Sequence, residues 1–239
     1  MRDALHHGRP QKHAMTTAIA RGKLTDLAYQ HVREAILRGQ LPIGSVLGES
    51  DLARTLGSSR TPVRQALERL LQEGLLEVGP KRQAVVRGFT AEHRAEILLL
   101  REALEGVAVR RACEVMALEE IDQLRLLLIQ QRRAARDGDD ERFLELDEQF
   151  HLRIADGARL PILRAFLGQL RGFVRVARLG SKRPAGVLAK VVAEHERIVD
   201  ALEQRDPAAA SARLVDHLYR SDYAIAGSKG RPRRGTEAP

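Results

Sequence analysis

The chain has 239 residues, of which 44% are hydrophobic and 30% charged, and a formal net charge of +8. That length suits two modest domains. The single cysteine, Cys113, excludes an intramolecular disulfide and fits a reducing cytoplasm. No apolar run approaches ~20 residues, so neither a membrane span nor a signal peptide is expected. The charge is uneven. Residues 1–90 hold 14 Lys and Arg against 8 Asp and Glu, residues 91–226 hold 22 against 23, and residues 227–239 hold 4 against 1. A basic excess at the N-terminal end and in the tail suits a phosphate-binding surface.

Residues 1–22 are polar without an apolar period and read as a disordered tail, within which Met15 is an alternative start. A first helix is expected over Thr25–Arg38, with Leu27, Ala28, Val32, Ala35 and Ile36 inward and Gly39 at its end. Residues 41–47 form an extended connector. A short helix then covers Glu49–Thr55 and stops at Gly57. Ser59, or alternatively Thr61, caps the next helix, and Pro62 sits in its first turn, where a missing N–H costs little. Val63, Ala66, Leu67, Leu70 and Leu71 make its buried stripe, and Gly74 ends it.

On the opposite face of that helix Arg60 and Arg64 are four apart, with Thr61 beside them. A recognition helix needs this arrangement, because arginine reads guanine O6 and N7 in the major groove and the N-terminal turn reaches the bases. Leu75–Val78 and Ala84–Arg87 read as two strands around the basic turn Gly79-Pro80-Lys81-Arg82. A basic hairpin tip beside a recognition helix reaches the adjacent groove or phosphates. The bland alternative is a solvated helical hairpin with ordinary surface arginines.

The run LARTLGSSRTPVRQALERLLQEGLL resembles the winged helix-turn-helix of GntR-type bacterial transcription regulators. The resemblance implies DNA contacts from Ser59, Arg60, Thr61 and Arg64, with Lys81 and Arg82 on the wing. The chain departs from the family pattern at Ser50, where relatives carry arginine, and at Gln83, where they carry the wing-tip glycine.

From Ala91 the pattern is nearly all helix. Helices are expected at 91–114, 118–137, 140–156, 160–180, 185–204 and 207–225, punctuated by Gly138, Gly157, Pro161, Pro184 and Pro207. Similar lengths and short connections imply an antiparallel bundle. Residues 227–239 read as a disordered basic tail. The expected architecture is mainly α: a winged helix-turn-helix over residues 23–90 and an all-helical bundle over 91–226.

Three histidines lie on apolar stripes of the bundle: His151, His195 and His217. Asp147 precedes His151 by four residues, on one face of a helix with Phe143, Leu146, Phe150 and Ile154. Taken singly, each imidazole reads as a core histidine bonded to its neighbours. Taken together, one inward carboxylate and three inward imidazoles on three helices form an O,N,N,N set suited to a divalent metal with open coordination positions.

The pieces LREALEGVAVRRA, LDEQFHLRIA, AEHERIVDALEQRDPAAA and LVDHL are similar to the effector-binding FCD domain of the FadR-like branch of the same family. The resemblance implies that Asp147, His151, His195 and His217 bind a divalent transition metal: zinc first, nickel or manganese as alternatives. It also gives Arg101 a role in holding an effector carboxylate, against the plainer reading of an intrahelical pair with Glu105. Arg175 and Arg178 are further candidates. The implied function is a cytoplasmic, nucleoid-associated homodimeric regulator, a repressor, which binds an operator in double-stranded DNA under control of a small organic-acid effector. Two alternatives stand beside it: a metal-dependent hydrolase, and a regulator whose metal is purely structural.

Overall fold

The computed structural model describes residues 11–179 and 186–226, with side chains from residue 22 to 179 and from 186 to 221. Of the expected disordered tails, residues 1–10 and 227–239 lie outside them, whereas residues 11–22 of the N-terminal one are helical, a correction to that expectation. The chain divides between Gly88 and Phe89 into two compact units.

In the first unit, α1 spans Gln11–Leu37, β1 Val46–Leu47, α2 Glu49–Thr55, α3 Arg60–Gln72, β2 Leu76–Val78 and β3 Ala84–Val86. The helix α1 starts well before the expected Thr25. The connector after it also carries a short strand: β1 pairs antiparallel with β3, giving the strand order β1-β3-β2. Helices α2 and α3 both end on glycine in the left-handed conformation. Gly57 (φ 58°) bonds its N–H to Arg54 and passes the chain to Ser58, which bonds Ala53; Gly74 (φ 76°) and Leu75 repeat this with Leu71 and Leu70. These paired 6→1 and 5→2 bonds satisfy the last carbonyls of each helix and turn the chain sharply. Val32, Ile36, Val63, Ala66, Leu70 and Leu76 are fully buried and form the core beneath α3. Burying each large aliphatic side chain contributes about 1.5–3 kcal/mol.

In the second unit six helices form an all-helical bundle: α4 Ala91–Val115, α5 Leu118–Asp137, α6 Asp140–Gly157, α7 Pro161–Ala177, α8 Val187–Glu203 and α9 Pro207–Ala226. Thr90 caps α4 by accepting from the His93 N–H at 3.3 Å. Helix α4 packs against α6, α7, α8 and α9. A helix so surrounded needs apolar residues on most of its circumference rather than one stripe. Helix α7 ends at Ala177 rather than near 180, and α8 begins at Val187 rather than 185. The bundle core runs from Val109 and Ala112 through Leu124, Leu146 and Phe150 to Ile198, Leu202 and Leu218.

Candidate metal centre and DNA-binding face

Buried charge is costly unless it is paired, yet this core encloses Arg101, Glu105, Asp147, His151, Arg171, Arg178, His195 and His217. Helix α6 supplies Asp147 and His151, one turn apart; α8 supplies His195 and α9 supplies His217. One ligand atom from each of these four lies within 4.8 Å of every other, so the structure brings the four expected residues together. His195 Nε2 is 3.2 Å from His217 Nε2 and 3.6 Å from Asp147 Oδ1, and His151 Nε2 is 3.8 Å from Asp147 Oδ1. Phe150 stacks on the His195 ring, with centroids 4.2 Å apart.

The far nitrogen of each ring is held from outside. His195 Nδ1 lies 2.8 Å from Gln131 Oε1, and the Gln131 amide is oriented by its NH₂ donating to the Leu146 carbonyl at 3.1 Å. His217 Nδ1 lies 3.1 Å from Glu194 Oε2. His151 Nδ1 lies 2.6 Å from Glu105 Oε2, and neither atom has a hydrogen bond elsewhere. All three partners are acceptors, so each Nδ1 carries the proton and each Nε2 presents a lone pair. Three lone pairs and a carboxylate oxygen then converge with no proton among them. Outer partners of this kind fix the tautomer of metal-binding histidines. The residues present therefore fit a divalent metal.

Electrostatics keep the set in its ligating form. Burial and the neighbouring imidazoles of His217 and His151, which disfavour a second positive charge, hold His195 well below its ordinary value of 6.5, against Asp147. Burial and His151 do the same to His217. Burial also lowers His151, against the pull of Glu105. For Asp147 burial pushes the other way, but Arg171, His151 and Arg178 overcome it and hold the carboxyl well below the usual range.

The guanidinium of Arg171 touches Asp147 Oδ2 at 2.5 Å and Arg178 reaches the same oxygen at 3.5 Å, leaving Oδ1 to face the imidazoles. Arg101 Nε meets Glu105 Oε1 at 2.7 Å. The Arg101–Glu105 pair is thus real but buried, not a surface pair of a few tenths of a kcal/mol; losing one partner of a buried pair costs about 3–5 kcal/mol. Arg101 Nη2 and Arg171 Nε and Nη1 are buried N–H groups without a hydrogen-bond acceptor. Such donors suit an anion beside the metal. Arg175 instead pairs outward with Glu145 and Glu148 at 3.6 and 3.5 Å. Arg171, Glu105, Gln131 and Glu194 were not anticipated as parts of the site. Arg171 was open to detection by its spacing, two helical turns before Arg178 at the C-cap of α7.

In the first unit Ser59 occupies the N-cap position of α3 without a side-chain cap bond, and Arg60 opens the helix. Arg60, Thr61 and Arg64 are exposed on the face opposite the buried stripe. Arg60 lies 3.5 Å from Glu49, and Arg64 lies 4.0 Å from Glu68. Lys81 and Arg82 are exposed at the tip of the β2–β3 hairpin, closed by the Gly79 N–H to Gln83 carbonyl bond at 2.9 Å. Arg82 takes a positive φ of 57°, the conformation that a wing-tip glycine adopts without strain. A Cβ on Gly79 would meet Val85 Cγ2 at 2.8 Å, so the hairpin needs glycine there.

Residues 24–86 match the family model of bacterial regulatory proteins, gntR family, and residues 96–220 match that of the FCD domain. The chain belongs to the GntR family of regulators and carries an FCD domain. It is 34% identical over 194 residues to an HTH-type transcriptional regulator of Streptomyces ambofaciens, covering 80% of each chain. It is 27% identical over 190 residues to the transcriptional repressor RspR of Escherichia coli, covering 80% of this chain and 83% of that one. The solved structure of E. coli McbR/YncC aligns with a TM-score of 0.77 at 26% identity, covering 85% of this chain and 97% of the other. The GntR chain is thus a DNA-binding regulator of transcription rather than an enzyme, which removes the hydrolase alternative. No helix among the described residues is long and apolar enough to cross a membrane.

Proposed function

We propose that this GntR regulator is a cytoplasmic, homodimeric repressor, nucleoid-associated when on its operator, whose binding is controlled by a small carboxylate held at a metal in the FCD bundle. Residues 23–90 bind DNA and residues 91–226 bind effector and partner. One observation carries the effector reading: three Nε2 lone pairs and Asp147 Oδ1 converge beside buried N–H groups of Arg101 and Arg171 that make no hydrogen bond, the nearest carboxylate to Arg171 Nη1 being Glu105 at 3.8 Å. An N₃O set favours zinc, with nickel or manganese as alternatives. Asp147, His151, His195 and His217 would hold the metal, which would supply Lewis acidity toward the carboxylate. Asp147, held through Oδ2 by Arg171 and Arg178, keeps Oδ1 aimed inward, and Arg101 and Arg171 offer N–H groups to the anion. A purely structural metal gives those buried donors no hydrogen-bond acceptor, which favours the effector reading.

Arg60 and Arg64, with Ser59 and Thr61, read the operator, and Lys81 and Arg82 contact the backbone or minor groove. One head reads few base pairs, so a pseudo-palindromic operator calls for two. Exposed apolar side chains on adjoining helices, Leu99 and Leu100 on α4 with Ile162 and Phe166 on α7, support dimerisation through the bundle. RspR, a repressor at 27% identity, supports the sign of control. The test is operator binding by anisotropy with metal-loaded and metal-stripped protein against a panel of small mono- and dicarboxylates. A carboxylate that releases operator only from the metal-loaded form is the expected result. Release that is indifferent to metal would refute the coupling.

A further inference from the structure

We infer that the metal enters and leaves past His217, through a pocket between α8 and α9, with Glu194 as the carboxylate that admits it; the inference rests on the metal-site reading above. The pocket is lined by Glu194 and Arg197 from α8 and by Arg213, Asp216, His217 and Arg220 from α9. Of the four ligand residues it takes in His217 and not the other three. The ring of His217 is the partition. Its Nδ1 meets Glu194 on the pocket side, and its Nε2 faces His195 on the site side.

The outer partners of the three imidazoles differ in access. The side chain of Glu105 is 4% exposed and Gln131 is fully buried, whereas Glu194 is 13% exposed and forms part of the pocket wall. Glu194 is therefore the one outer partner that solvent reaches among the described residues. Its charge is opposed by Arg220, which lies 3.9 Å away, is 61% exposed, and also reaches Asp216 at 3.8 Å. Both contacts are long and their Arg220 end is exposed, so they hold that guanidinium weakly. A dication approaching the mouth is drawn by Glu194 and Asp216 and repelled by Arg220 and its neighbours Arg197 and Arg213. Rotation of the His217 side chain, which keeps its bond to Glu194 only in the closed position, opens the partition. A buried metal site needs such an entry path.

The signs of these charges make the inference testable on the full-length protein. Metal is stripped, zinc uptake is followed by stopped flow at low salt, and release is followed with a chromophoric chelator. Glu194→Gln keeps an acceptor for His217 Nδ1 but removes the charge, and uptake is expected to slow about fivefold, the worth of one charge contact in water. Arg220→Ala is expected to speed uptake, and raised salt to erase both effects. Glu119→Gln, a charge change at an exposed position of α5 outside the pocket lining, is expected to leave both rates unchanged. A merely structural role for Glu194 would loosen the site and accelerate release without slowing uptake. Uptake rates that move together in Glu194→Gln and Arg220→Ala, or not at all, overturn the route. Stripped wild-type protein that takes up no zinc overturns the metal-site reading itself.

Discussion

His195 Nε2 and His217 Nε2 face each other at 3.2 Å in the bundle core, and each ring has its other nitrogen against an acceptor. Two lone pairs at that separation repel unless a cation lies between them. A metal bound there is therefore expected to add to stability, because the unfolded chain has no formed site. At a free metal concentration a hundredfold above Kd the gain is about 2.7 kcal/mol. Chelation should lower Tm by several degrees, and elemental analysis should find one metal per chain. The His195→Ala, His217→Ala variant should lose the metal and the Tm response to chelator. Gln131→Leu should weaken the metal about 10–100-fold, because the His195 tautomer is no longer fixed. A wild-type melt unchanged by chelator would show that these histidines are ordinary core residues.

Acid should unfold the metal-free protein in two stages. His195 and His217 sit well below their ordinary 6.5 in the folded state, so below pH 6.5 the unfolded chain binds protons that the folded one refuses. Stability from these groups is complete above 6.5 and falls as pH drops below it, by as much as about 1.4 kcal/mol per pH unit for each histidine. Asp147 and Glu105 are also held well below their ordinary 3.8 and 4.5, so their contribution is present above those values and is lost in a second, lower window. Urea melts of chelated protein from pH 7.5 down to 3 should show both. A flat profile between 6.5 and 5 would contradict the neutral imidazoles.

On the operator, Arg60→Ala and Arg64→Ala should each cost about 1–3 kcal/mol if each reads a guanine. The Arg60–Glu49 contact at 3.5 Å is exposed and worth at most about 1 kcal/mol, so little opposes the swing of Arg60 toward DNA. Titrations at fixed salt decide this. Unchanged affinity in the double variant would move the recognition surface elsewhere.

The wing gives a prediction in which stability and binding part company. Arg82 holds a left-handed backbone that costs a non-glycine residue about 1–2 kcal/mol, while glycine loses about 0.5–1 kcal/mol of entropy there. Arg82→Gly should raise stability by about 0.5–1 kcal/mol and weaken operator binding with a shallower salt dependence. A variant that melts lower would mean that the Arg82 side chain does more for the fold than its exposure suggests.

Most of this fold was legible because its signals are local. The stripe from Val63 to Leu71 and the glycines at 57 and 74 mark α2 and α3, and the Asp147–His151 spacing with two later histidines on apolar faces marks the buried cluster that could hold a metal. Three things were not legible, each for a physical reason. Residues 11–24 contain helix formers such as Ala14, Met15, Ala18 and Ala20 but no apolar period, so the early start of α1 has no pattern to read. Strand β1 is two residues long and is defined only by its partner β3. The outer partners of the imidazoles come from other helices at no fixed spacing. Glu194 is the sharpest case: it is next to His195 in sequence but serves His217.

Dimerisation carries the last prediction. Ile162 and Phe166, one turn apart on α7, are 76% and 59% exposed, and neighbouring α4 leaves Leu99 and Leu100 exposed. Large apolar side chains left exposed on two packed helices suit a surface that meets a partner. Charges there leave the chain folded, because the positions lie outside the core, but they oppose burial in an interface, where an unpaired charge is costly. Ile162→Glu with Phe166→Glu should therefore shift sedimentation from dimer to monomer at micromolar concentration while the thermal melt stays cooperative. Operator affinity should fall with it, because two half-sites then bind two independent heads and the gain from linking them is lost. A variant that remains dimeric and binds operator at full strength would place the interface on another face of the bundle.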